Sequence, residues 1–95
     1  MTTIFKQRVG DSEHPMTDIT EEQYNTIIAG WCEKYRGFRF CPDSDGDYSI
    51  MDENGKHVAG FYRVETPRRI NIVYYESSDG HTMDYKIVKT TYKDN

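Results

Sequence analysis

From residue 19 to residue 36 the apolar positions follow a helical repeat. Tyr24, Ile27, Ile28, Trp31 and Tyr35 fall 3, 4, 7 and 11 positions from the first, which is one stripe of a 3.6-residue period. The flanking chemistry agrees. Thr20 is placed as an N-cap, with Gln23 three residues on to complete a capping box. Ile19 and Tyr24 are spaced for a hydrophobic staple across that cap. Glu21 and Glu22 lie in the first turn, where carboxylates favour the positive end of the helix dipole. Lys34 and Arg36 close the last turn, and Gly37 follows as a left-handed terminating residue. Gly30, in the interior, costs about 1 kcal/mol against alanine and is read as a close approach by another element.

Elsewhere the repeat is two. Residues 1–9 read as a strand centred on Ile4 and Phe5, followed by a polar connector over 10–17. Phe38-Arg39-Phe40-Cys41 alternates as a short strand and leads into an acidic turn, Pro42 to Asp47. Asn54-Gly55 is a strong hairpin signal, because a type I′ turn needs positive φ at both central positions. That turn pairs Ile50 with Ala59 and Tyr48 with Phe61 on one face, and Met51 with Val58 and Ser49 with Gly60 on the other. A second hairpin turning at Asp79-Gly80 pairs Tyr74 with Tyr85, Ile72 with Ile87 and Glu76 with Met83. Ile70, Ile72, Tyr74, Tyr85 and Ile87 then share the core face, while residues 91–95 fray.

These elements predict an α+β fold: one amphipathic helix packed on one face of a four- to five-stranded antiparallel sheet. The expected order is β-α-β-β-β-β-β, with two β-hairpins. The 95 residues suffice for one hydrophobic core, hence a single domain over 1–95.

Composition narrows the function classes. The longest apolar runs are three residues, as in Ile27-Ile28-Ala29, too short to span a bilayer. The N-terminus lacks a basic stretch followed by an apolar one, so a cytoplasmic location is expected. Cys32 and Cys41 are too few for a disulfide framework, and both are expected to be reduced. A net charge of −4 argues against a surface built for a nucleic-acid backbone.

The candidate chemistry is thin. Asp43, Asp45 and Asp47 resemble the start of an EF-hand calcium loop, with acids at its positions 1, 3 and 5. Tyr48 stands where that loop needs glycine, and Asn54 where it needs a bidentate glutamate. The segment therefore reads as an acidic turn. His14, His57 and His81 are scattered through connectors and strand ends. His57 is expected opposite Asp52, and with His81 these are the best residues a small enzyme would have. A zinc site would need Cys32, Cys41 and a histidine to converge from separate elements. No phosphate-cradling glycine loop and no nucleophile elbow occur, so no catalytic residue, metal or cofactor is expected.

The sheet's second face is the anomaly. Met51, Val58, Tyr62, Val64, Val73, Tyr75 and Val88 all fall on the side a single helix leaves uncovered. Unless the N-terminal segment folds over them, they form an aromatic-aliphatic patch of the kind that marks protein interfaces. The expectation is a non-enzymatic protein-binding domain, its partner another protein or a second copy of itself. Size and composition match the accessory inhibitors carried by phages and mobile elements, an analogy only. The alternative is a nucleic-acid-binding module using a basic strip of Arg63, Arg68, Arg69, Lys86 and Lys89 beside tyrosines.

Overall fold

The computed structural model describes residues 2–36 and 47–93. The predicted strand at Phe38–Cys41, the glycine after the helix and most of the acidic turn lie outside the described residues. So do Cys41 and the last two residues.

Six strands and one helix are described: β1 (Thr2–Val9), β2 (Thr17–Ile19), α1 (Glu21–Lys34), β3 (Tyr48–Met51), β4 (His57–Glu65), β5 (Arg69–Glu76) and β6 (Tyr85–Tyr92). The strands form one antiparallel sheet in the order β2-β1-β6-β5-β4-β3. The fold is therefore α+β, as the pattern predicts, with a larger sheet than the four to five strands expected. The additional strand is β2. It spans the end of the expected connector and the residue expected to staple the helix start, and Thr17-Asp18-Ile19 is too short to show alternation. It forms because Phe5 stands opposite Ile19 and Gln7 opposite Thr17, so β1 templates it from outside. The tail also differs: Thr91 and Tyr92 pair with both β1 and β5, and the Lys93 amide donates to the Arg68 carbonyl at 2.8 Å.

The helix begins as its local chemistry requires. The Gln23 amide donates to Thr20 Oγ1 at 3.1 Å, and the Thr20 amide donates to Gln23 Oε1 at 2.8 Å. Fourteen residues give a length of ~21 Å, enough to cross most of the sheet. At its start Tyr24 packs on Phe5 of β1, ring centroids 4.8 Å apart. At its end Lys34 Nζ donates to Glu76 Oε2 of β5 at 2.7 Å, and the Tyr35 hydroxyl donates to the same oxygen.

Beneath it lies an aromatic core. Tyr24, Ile28 and Trp31 are buried against Ile50, Ala59, Phe61, Ile72, Tyr74 and Ile87. Trp31 meets Tyr85 edge-on at 5.2 Å, and Tyr74 joins Trp31 to Phe61. Gly30 lies on the outer side of the helix, and a Cβ there would meet nothing within 4 Å. Among the described residues the expected close approach does not occur.

Both hairpins change register; the second keeps its predicted faces, and the first keeps them except at Val58. In the first, Ile50 stands opposite Ala59 and Tyr48 opposite Phe61, as expected, but Met51 stands opposite His57. The Asp52 carboxylate accepts the amides of Asn54 and Lys56, each at 2.9 Å, its own amide donates to the Lys56 carbonyl at 2.9 Å, and Gly55 has positive φ, +78°. That is the pattern of a three-residue loop with a bulge, one residue longer than a type I′ turn. In the second, Tyr74 stands opposite Ile87 and Glu76 opposite Tyr85. The Asp79-Gly80 pair sits inside a longer loop. There Asp79 Oδ1 accepts the amides of His81 and Thr82 at 2.7 Å, and Asp84 Oδ2 accepts that of Ser78 at 2.6 Å. The pairing slips by two residues, which preserves every facing because side chains alternate with period two.

Candidate binding face

With α1 on one side, the sheet's other side has no element laid over it among the described residues. The N-terminal segment is built into the sheet as β1 and β2, and Met16 between them lines a hollow on this side with Ile4, Lys6, Lys86, Val88 and Thr90. The registers assemble the face row by row. Lys6, Val88, Val73 and Tyr62 run across β1, β6, β5 and β4. Arg8, Lys86, Tyr75 and Gly60 form the next row, ending at Ser49 of β3. On the other flank run Ile4, Thr90, Asn71 and Val64, where Thr90 Oγ1 donates to Asn71 Oδ1 at 2.7 Å. Tyr92 and Arg69 are paired beyond them.

Of the expected patch, Tyr62, Val64, Val73, Tyr75 and Val88 therefore share this face. Val64 is 46% exposed and Val73 only 4% exposed, while Tyr62, Tyr75 and Val88 are half-buried. Met51, 50% exposed, lies on the edge strand. Val58 does not belong: the bulge opposite Met51 turns it toward the helix, where it packs against the core.

The expected basic strip divides between the two sides. Lys86 and Arg69 are on the open face. Alternation puts Arg63, in register with Ile72, and Lys89, in register with Phe5, on the helix side. Arg68 sits in the β4–β5 turn, where its amide donates to Thr66 Oγ1 at 3.3 Å. In exchange β1 brings Lys6 and Arg8 to the face. Sequence reasoning missed both, because only the placement of β1 beside β6 joins them to Lys86. The one signal available was the alternation of Ile4, Lys6 and Arg8 against Phe5 and Gln7.

The face is held by packing as well as pairing. The hydroxyl end of Tyr75 sits over Gly60, where a Cβ would collide with it and with the Tyr48 carbonyl oxygen at 2.6 Å. Tyr75 Oη reaches Ser49 Oγ at 3.5 Å, and its ring meets that of Tyr62 with centroids 6.2 Å apart. Burial, and secondarily Tyr75 and Asp47, hold the Tyr62 hydroxyl above its usual range, with Arg8 opposing. Lys86 is pushed below the usual lysine range, first by burial and then by the charge of Arg8.

The residues considered for catalysis or metal binding do not assemble. His14, His57 and His81 are exposed, and Asp52 is committed to its own turn rather than to His57. Among the described residues no three His, Cys, Asp or Glu side chains come together as metal ligands. No described helix is long and apolar enough to cross a membrane. No family model, curated protein or solved structure matches the chain.

Proposed function

We propose that this chain is a non-enzymatic binding domain that docks a partner protein on the open face of its sheet. The carrying observation is that Tyr62, Val64, Tyr75 and Val88 stand partly exposed together on a face that no described element covers. Contiguous aromatic-aliphatic surface of that kind is what protein interfaces use. Such a domain acts by occupying a surface of its partner, the manner of an accessory or inhibitory protein.

The test is a photo-crosslinking amino acid at position 62, compared with the same group at Asn25 on the exposed side of α1, in the protein's native cells. Adducts to one protein from position 62 and none from position 25 are expected. Adducts from both sites, or from position 25 alone, would remove the reading. A second copy of the chain as partner would appear as an adduct of twice the mass.

A second reading has its own observation. Lys6, Arg8, Lys86 and Arg69 share the face with Tyr62, Tyr75 and Tyr92, and bases among tyrosines suit single-stranded nucleic acid. Binding to an oligothymidylate that weakens steeply with salt would favour it.

A further inference from the structure

Arg8 and Lys86 are direct cross-strand partners, two like charges in the arrangement that destabilises a sheet pair. Both side chains are half-buried. Among the described residues neither forms an ion pair, whereas the neighbouring Lys6 reaches Asp18 at 3.8 Å. Asp11, which feels the charge of Arg8, is already engaged by the Glu13 amide at 3.0 Å and by His14. The Arg8 Nε is sealed from solvent and has no hydrogen-bond partner among the described residues. A buried cationic donor without an acceptor costs free energy that an incoming anion would restore.

We propose that Arg8 and Lys86 are the anchor for a carboxylate carried by an acidic segment of the partner protein. This rests on the open face being the docking surface, and it names what the partner presents there. One carboxylate can bridge two adjacent cations and relieve their mutual repulsion, and the guanidinium fork matches it in shape. A nucleic-acid backbone asks for a run of cations instead. Here the row continues into uncharged Tyr75 and Gly60. Arg69 stands six positions further along the β6 ladder, at Tyr92, roughly 20 Å away. The net charge of −4 also repels a long polyanion more than it repels a single side chain. Tyr75 and Val88, beside the pair, suit an apolar residue next to the acid.

The experiment follows the Arg8 Nε–H signal by NMR in the full chain during titration with a blocked hexaglutamate peptide, a blocked hexaglutamine peptide and a ten-residue oligothymidylate. The signal should move saturably with hexaglutamate and not with hexaglutamine. K86Q should weaken that binding roughly tenfold to a hundredfold, the equivalent of one charge-assisted hydrogen bond, and R8Q should do the same as read on the Tyr75 amide. R69Q should change it less than twofold. A silent Arg8 signal, equal losses from R69Q, or oligothymidylate binding as tightly as hexaglutamate would each overturn the anchor. A partner crosslinked at position 62 with Arg8 silent would overturn the anchor and leave the docking face standing. An Arg8 response without any adduct at position 62 would overturn the docking face instead.

Discussion

The two sides of the sheet are written by alternate residues of the same strands, yet they are built for different ends. On the helix side, Phe61, Tyr74, Tyr85 and Trp31 meet ring to ring around a buried apolar centre, with Arg63 and Lys89 in the row of Phe5 and Ile72 beside it. On the open side, aliphatic residues share the rows with Lys6, Arg8, Lys86 and Arg69, and the rings are only half-buried. One side keeps water out and thereby holds the chain together. The other keeps its charges and rings within reach of solvent. Residues next to each other in sequence, such as Tyr74 and Tyr75, thus have separate consequences when changed.

The sharpest test of that contrast removes one ring from each side. Tyr74 is 0% exposed, and Tyr74→Ala is expected to cost about 3–5 kcal/mol by analogy with other buried aromatic truncations. Tyr62→Ala, on the open side, should cost about 1 kcal/mol or less. Urea denaturation of the two variants reads the difference directly, and equal losses would erase the contrast.

Gly60 is where the contrast should break. It lies on the open side, but a Cβ there meets the Tyr48 carbonyl of the neighbouring strand at 2.6 Å as well as the end of Tyr75. Gly60→Ala must push β3 outward or lift Tyr75, at a cost of about 1–3 kcal/mol. If the variant is as stable as the wild type, Tyr75 is not seated as described.

Alkaline pH tests the far end of the helix. Burial first, then the hydrogen bond to Glu76, raises the Tyr35 hydroxyl from 10.0 to about 12. The folded state therefore favours the neutral phenol. That contribution is whole below pH 10 and is lost as pH rises through about 12. Lys34, raised chiefly by the same glutamate, has the same sign. Stability should fall over this window, and Tyr35→Phe should flatten part of the fall. An unchanged profile would mean that the Tyr35–Glu76 contact does not hold the helix end in solution.

The smallest expected effect is a gain. Gly30 faces open space on the outside of α1, so Gly30→Ala should stabilise by about 0.5–1 kcal/mol. A loss in thermal midpoint would show that something does pack there after all.

Much of this molecule was legible without coordinates, and what was legible is local. The helix start could be read because Thr20 and Gln23 satisfy each other's amides across three residues. The core faces could be read because alternation commits Ile72, Tyr74 and Ile87 to one side whatever their exact partners. The position of Val58 was not legible, since a bulge set by the Asp52 turn reverses its facing. Neither was the β5–β6 register, which depends on how Asp79 and Asp84 cap a loop rather than on the strongest turn dipeptide.

The binding face shows the same division. Its apolar members on β4, β5 and β6 follow from their own strands. Its cationic pair does not, because Arg8 meets Lys86 only when β1 inserts between β2 and β6. That pairing joins residues nearly eighty positions apart. A sequence states through local hydrogen bonding and side-chain alternation which way each strand faces. Which strand lies beside which is decided by the closure of the whole sheet over one helix, a sum over distant contacts that no short stretch of this chain contains.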